Sequence, residues 1–228
     1  MLIRKSKQRG ITRTDWLESY HSFSFADYYD PRYRGFSVLR VINQDTIAAA
    51  AGFGLHNHHD MEILTYVLRG AIAHRDSLSN ETLIGEGELQ RMSAGSGISH
   101  SEYNPSASTA MELLQIWILP QRKNLTPGYQ QTKFPRIENA WQLLASPNGA
   151  EGSLLIHQDA KLYRAFVMTN QSLNYESRGR SIWLQVIQGE IQVNGEKLGA
   201  GDGCGLNDEE HCQLTAGSAA QVLLFDLP

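Results

Sequence analysis

The stretch GLHNHHDMEILTYVLRGAIAHRDS, residues 54–77, decides how this chain folds. Its second half carries apolar and β-favouring residues from Leu64 to Leu68, turns at Gly70 and resumes at Ala71, which reads as a strand, a glycine turn and a second strand. In its first half His56 and His58 stand two apart, and on a strand residues i and i+2 point to the same face about 7 Å apart.

Outward from that stretch the same texture continues. GFSVLRVIN (35–43), LLQIWILP (113–120), SIWLQVIQG (181–189) and AAQVLLFDLP (219–228) are short runs rich in Val, Ile, Leu and aromatics, separated by Gly, Asn, Asp and Ser. Such spacing predicts an all-β sandwich or barrel rather than βαβ units. LTYVLRGAIAHRDS (64–77) is echoed by WLQVIQGEIQVNGE (183–196), and each is followed by an acid-flanked glycine, Glu86-Gly87-Glu88 and Gly201-Asp202-Gly203. The echo predicts two related β-barrels in one chain. The polar segment QRKNLTPGYQQTKFP (121–135) is where they should join, giving domains 1–134 and 135–228. Helix should be a minor component. RIENAWQLLASP (136–147) places Ile137, Ala140, Trp141 and Leu144 at helical spacing ahead of Pro147, which predicts a helix there.

A chain of 228 residues with 41% hydrophobic and 19% charged residues is long enough to bury a substantial core. The net charge of −4 and the scattered Lys and Arg residues lack the basic stripe of a nucleic-acid binder. No segment reaches the ~20 apolar residues of a membrane span, and MLIRKSKQRG is not followed by a signal-peptide run, so a cytoplasmic protein without membrane contact is expected. The two cysteines, Cys204 and Cys212, are too few for a disulfide framework and are expected to be reduced.

The histidines carry the chemistry. SAGSGISHSEYN (93–104) sets His100 and Glu102 two apart, mirroring His56 and His58. Two strands each turning such a pair into one barrel interior would converge four ligands on one point. Imidazole nitrogens with one carboxylate suit iron, nickel, copper, zinc, cobalt or manganese, and three His with one Glu leave about two octahedral positions open, as a catalytic metal needs. Glu62, four residues after His58, would share its face on an unbroken strand and competes with Glu102 as the carboxylate. His59 falls on the opposite face, His74 is within reach of Asp76, and His21, His157 and His211 read as structural.

The order G-x-H-x-H, Glu62, Gly70 and then GELQRMSAGSGISHSEYN (87–104) resembles the two cupin motifs, and its wording is similar to that of the pirin family. WLESYHSFSFADYYDPRYRGFSVLRVIN (16–43), TYVLRG and HRDS (74–77) resemble that family's other signatures. The likeness is dense over roughly residues 9–120. It implies a bicupin fold with one divalent transition-metal ion per chain, Fe(II) first, in the N-terminal barrel, held by His56, His58, His100 and Glu102. Asn57 stands where many relatives have Pro, which loosens a turn without removing a ligand. Aligning Gly189 with Gly70 sets Tyr175 and Ser177 opposite His56 and His58. Aligning Gly201 with Gly87 sets Leu214 and Ala216 opposite His100 and Glu102, so the C-terminal barrel is expected to be degenerate and metal-free.

The activity that the resemblance implies is that of a quercetin 2,3-dioxygenase. A flavonol-like substrate and dioxygen would be the partners, Glu102 would serve as ligand and proton acceptor, and ring opening would release carbon monoxide. The alternative is a metal-dependent regulatory protein, since the family has been linked to an iron-containing transcriptional co-regulator in animals; lacking a basic surface, this chain would act through a protein partner.

Overall fold

The computed structural model describes residues 1–207, 209 and 211–228. In chain order its first twelve strands are β1 (Leu2–Arg4), β2 (Gly10–Arg13), β3 (Leu17–His21), β4 (Leu39–Ile47), β5 (Gly52–His58), β6 (Glu62–Arg69), β7 (Ala71–Asp76), β8 (Glu81–Gly85), β9 (Glu88–Ser93), β10 (Ile98–Tyr103), β11 (Met111–Ile118) and β12 (Gly128–Lys133). The second half continues with β13 (Gln142–Ser146), β14 (Leu154–Leu155), β15 (Lys161–Val167), β16 (Ser172–Glu176), β17 (Ser181–Gln188), β18 (Glu190–Val193), β19 (Glu196–Gly199), β20 (Gly203–Leu206), β21 (His211–Ala216) and β22 (Ala220–Leu227). The all-β expectation holds. No helix among the described residues is long and apolar enough to cross a membrane.

Two compact units result. One comprises Gly10–Phe134 with Leu154–Gln158; the other comprises Met1–Arg9, Pro135–Ser153 and Asp159–Pro228. The division therefore differs from a single cut after residue 134 at residues 1–9 and 154–158. In the first unit the larger sheet runs β12-β9-β6-β11-β4-β3-β2 and the smaller runs β5-β10-β7-β8. In the second, β1-β20-β17-β22-β15-β13 and β16-β21-β18-β19 repeat that order. Each unit is thus a two-sheet antiparallel barrel, and the echo around Gly70 and Gly189 marks equivalent hairpins, both glycines having φ near +80°.

The inward face of the first unit's larger sheet has an uncommon pattern. Alternation on β6 presents Ile63, Thr65 and Val67, on β11 Leu113, Gln115 and Trp117, and on β4 Asn43, Asp45 and Ile47. The register lines up His21 with Asn43, Asn43 with Gln115, Gln115 with Thr65 and Thr65 with Gln90. A buried polar row therefore crosses five strands between two apolar clusters, one around Ile47, Val67 and Leu113 and one around Ile63, Met92 and Ile98. In the second unit the equivalent row is Tyr163, Leu224, Leu184 and Cys204, inside a continuous apolar core.

The helix predicted over 136–147 does not form. Gln142–Ser146 is strand β13, pairing with β15 through a register shift between Leu143 and Ala145. Leu143, Leu144 and Ala145 are all buried, so consecutive residues face apolar surroundings on both sides of the strand. A lone amphipathic turn is worth little in water, and the ladder to β15 outweighs the helical spacing. The only helical pieces are single 3-10 turns at Ser6–Gln8 and Ala150–Gly152, among the described residues.

Candidate metal centre

Strands β5 and β10 are antiparallel neighbours, and their register sets His100 opposite His56 and Ile98 opposite His58. The two i, i+2 pairs predicted from spacing meet at this junction. A register shift follows between His100 and Glu102, which leaves Glu102 opposite Phe53. The close approach here requires glycine at position 52, since a Cβ at Gly52 would lie 2.1 Å from the carbonyl oxygen of Glu102.

The three imidazoles converge. Ring centroids are 4.4 Å apart for His56 and His100, 4.8 Å for His56 and His58 and 4.9 Å for His58 and His100. One ring nitrogen from each lies within 4.8 Å of the others. Glu102 adjoins the cluster through His100: His74, His100 and Glu102 form a second group with donor atoms within that same distance. The Nδ1 of His56 donates to the Gly54 carbonyl at 2.8 Å, which leaves Nε2 as a lone-pair donor. Glu102 is held by the centre of the polar row, with Thr65 Oγ1 donating to Oε1 at 3.3 Å and Gln115 Nε2 to Oε2 at 3.0 Å.

Burial sets the protonation states. It lowers His58 to about 4, with help from His56 and His59, and His100 to about 2, with help from His56, His58 and His74. These rings are neutral at physiological pH, the form in which imidazole binds a metal. Burial also lifts Glu102 to about 7, against the hydrogen bond from Thr65, with the Asp45 charge adding to the rise. Both ring nitrogens of His100 are buried without a hydrogen-bond partner. A neutral, buried, unpaired imidazole beside two others and a carboxylate fits a borderline divalent ion.

Glu62, the competing carboxylate, is engaged elsewhere. It accepts from Ser93 Oγ at 2.9 Å and from the backbone N–H and Nδ1 of His157, each at 3.3 Å. His157, isolated in sequence, thus has a partner, supplied because Leu154–Gln158 belongs to the first unit. His74 meets Asp76 as its spacing suggested, through Nε2 at 3.1 Å, while its Nδ1 is buried without a partner and its ring lies 5.4 Å from that of His100. The alternation Ile72, His74, Asp76 on β7 was the signal that His74 points inward with the core. His59 is exposed beside Asp60, and His211 is exposed on β21.

Beside the imidazoles lies a cavity of about 550 Å³, bounded by His56, His58, Glu102 and aromatic walls from Trp16, Phe25, Phe53 and Trp117. Trp16 meets Phe53 edge-on at 5.1 Å, Phe25 meets Trp117 at 5.4 Å, and Trp117 meets His58 at 5.1 Å. The volume suits a small-molecule site. His21, read from sequence as structural, lines it, as do Ser19, Asn43 and Asp45. Met92 packs in the core with Ile63 and Ile98.

In the second barrel, the ladder sets Tyr175 opposite Cys212 where the first has His56 opposite His100, and Leu214 beside Val193 where it has Glu102 beside His74. The alignment of Leu214 with His100 was therefore two residues out, because matching glycines does not fix the length of the intervening loop. Cys204 and Cys212 are free and buried, and burial pushes both thiols up to about 12.

Comparison with known proteins agrees with this architecture. Residues 3–118 match the Pirin family model, and residues 143–227 match the quercetinase C-terminal cupin domain. The chain is 48% identical over 227 residues, 99% of it and 98% of its relative, to a quercetin 2,3-dioxygenase of Escherichia coli strain K12. It is 39% identical to a pirin-like protein of Caulobacter vibrioides, covering 92% of each chain. The crystal structure of the bacterial pirin YhhW from Escherichia coli in complex with nickel(II) superposes with a TM-score of 0.96 at 47% identity, covering 99% of this chain and 98% of that one. With two barrels in the same order and full-length likeness to these proteins, the chain belongs to the pirin family.

Proposed function

We propose that the first unit binds one divalent transition-metal ion per chain through His56, His58, His100 and Glu102, and that with it the protein opens a flavonol such as quercetin, using dioxygen and releasing carbon monoxide. The observation that carries this reading is the convergence of three imidazoles, with a buried carboxylate adjoining them, beside one aromatic-walled cavity. The name of the 48% identical Escherichia coli relative supports the reaction class, and the nickel(II) complex of YhhW supports a transition metal at a site of this type. Iron(II) is the metal we assign first.

A divalent ion there would supply a Lewis-acidic centre for an enolate oxygen. The chain's own residues do the rest. Trp16, Phe53 and Trp117 take a planar ring system and exclude water. Glu102 takes up the hydroxyl proton as the enolate forms, and Thr65 and Gln115 fix the carboxyl's orientation while it does so. The second unit, with Tyr175, Cys212 and Leu214 at the equivalent ladder positions, carries no metal in this reading.

The test is turnover by protein loaded anaerobically with Fe(II), Mn(II), Ni(II), Co(II) or Cu(II). Quercetin and oxygen should disappear together as carbon monoxide appears, and His56→Ala should abolish this. Glu102→Ala should lose metal by elemental analysis, whereas Glu62→Ala should keep it. Absence of turnover with every metal, or equal turnover in His56→Ala, defeats the dioxygenase reading in favour of a metal-dependent regulatory protein. Metal lost from Glu62→Ala but kept in Glu102→Ala reverses the carboxylate assignment.

A further inference from the structure

One group on the cavity wall is unexplained by metal binding or by the fold. Asp45 is 3% exposed, sits mid-strand on β4 and lines the cavity that His56, His58 and Glu102 also line. Its one side-chain hydrogen bond among the described residues comes from Ser19 Oγ, directly across the β3–β4 ladder. Neither cluster of metal-ligating residues includes it, and no Lys, Arg or His pairs with it among the described residues. A buried carboxyl with one hydroxyl partner is costly, because the desolvation of its charge is hardly offset. Its neighbours across the sheet are Leu113 on β11 and Ser19 on β3, so the fold gains nothing from an acid at this position.

The wall around it is polar in a particular way. His21, which borders the same cavity, is fully engaged, with Nδ1 against Asn43 Oδ1 at 2.8 Å and Nε2 against Thr12 Oγ1 at 2.8 Å. Asp45 therefore stands out as a wall group with acceptor capacity left over. The aromatic part of the lining, Trp16, Phe25, Phe53 and Trp117, takes flat rings but does not discriminate their substituents.

We propose that Asp45 is the specificity-determining residue of the cavity, accepting a hydrogen bond from a ring hydroxyl of a polyhydroxylated aromatic ligand, with Ser19 holding its carboxyl in place. This rests on the reading of the cavity as a substrate site but not on the reaction carried out there. At pH 8, losing a hydrogen bond to the ionised carboxyl lowers affinity about ten- to a hundredfold. A ligand whose hydroxyls are methylated cannot donate and gains nothing from Asp45.

The experiment measures binding of quercetin, catechol and 1,2-dimethoxybenzene to metal-loaded protein by quenching of tryptophan fluorescence, Trp16 and Trp117 being cavity residues. Wild type should bind catechol at least tenfold more tightly than its dimethyl ether. Asp45→Leu should lower that preference about tenfold with metal content unchanged, and Asp45→Asn should fall between. Ser19→Ala, which keeps the carboxyl but frees it, should weaken the preference severalfold and serves if the Asp45 variants do not fold. An unchanged preference in these variants overturns the proposal, as does failure of wild type to bind any of the three. Quercetin turnover in the same samples separates the two readings. Asp45-dependent catechol binding without turnover removes the dioxygenase assignment alone, and turnover with an Asp45-independent preference removes this proposal alone.

Discussion

Both ring nitrogens of His100 are buried without a protein partner, and an unpaired buried polar atom costs about 1–3 kcal/mol. Asp45 presents a second local cost. Burial raises its pKa from 3.8 to about 7, against the hydrogen bond from Ser19. Between those values the folded protein holds a proton that the unfolded chain releases, so this group makes stability fall as pH rises through the window. Asp45→Asn keeps the shape and removes the charge. In metal-free protein it should melt several degrees above wild type at pH 8, and the gap should close toward pH 5. A gap that does not change with pH would mean that Asp45 ionises freely in the fold. Residues that cost stability in this way are characteristic of binding sites rather than cores.

At the scale of elements, the polar row across β3, β4, β11, β6 and β9 is what holds the carboxyl of Glu102. Glu102 reaches the row from the opposite sheet and meets Thr65 and Gln115, which are cross-strand partners. Thr65→Val preserves volume and strand propensity while deleting one donor. We expect the barrel to fold normally by circular dichroism and the affinity for metal, read by competition with a chelator, to fall about 10–100-fold, as supporting hydrogen bonds to metal ligands typically dictate. Unaltered affinity would show that Gln115 alone suffices. The strand that replaces the predicted helix over 136–147 has a separate cause. Helical spacing there reflects apolar residues that β13 buries on both faces, and periodicity alone does not separate a short buried strand from a helical turn.

For the whole molecule, a metal that binds only the folded first unit stabilises it by mass action, about 2.7 kcal/mol at a free concentration one hundred times Kd. Chelation should therefore lower the thermal midpoint of that unit by about 5–10 °C, and His56→Ala should show no such shift. Equal midpoints with and without chelator in wild type would deny the site its coupling to the fold. The sequence by itself determined the strand content, the duplicated barrel and the two inward-facing pairs His56 with His58 and His100 with Glu102, because alternation of side chains along a strand is a local property. It did not decide which strands become neighbours. Pairing of β5 with β10 brings the imidazoles together, the return of Leu154–Gln158 gives Glu62 its His157 partner, and the β3–β4 ladder opens Asp45 onto the cavity. Those contacts join residues far apart in the chain, so only the tertiary structure sets which groups surround each of the two carboxyls.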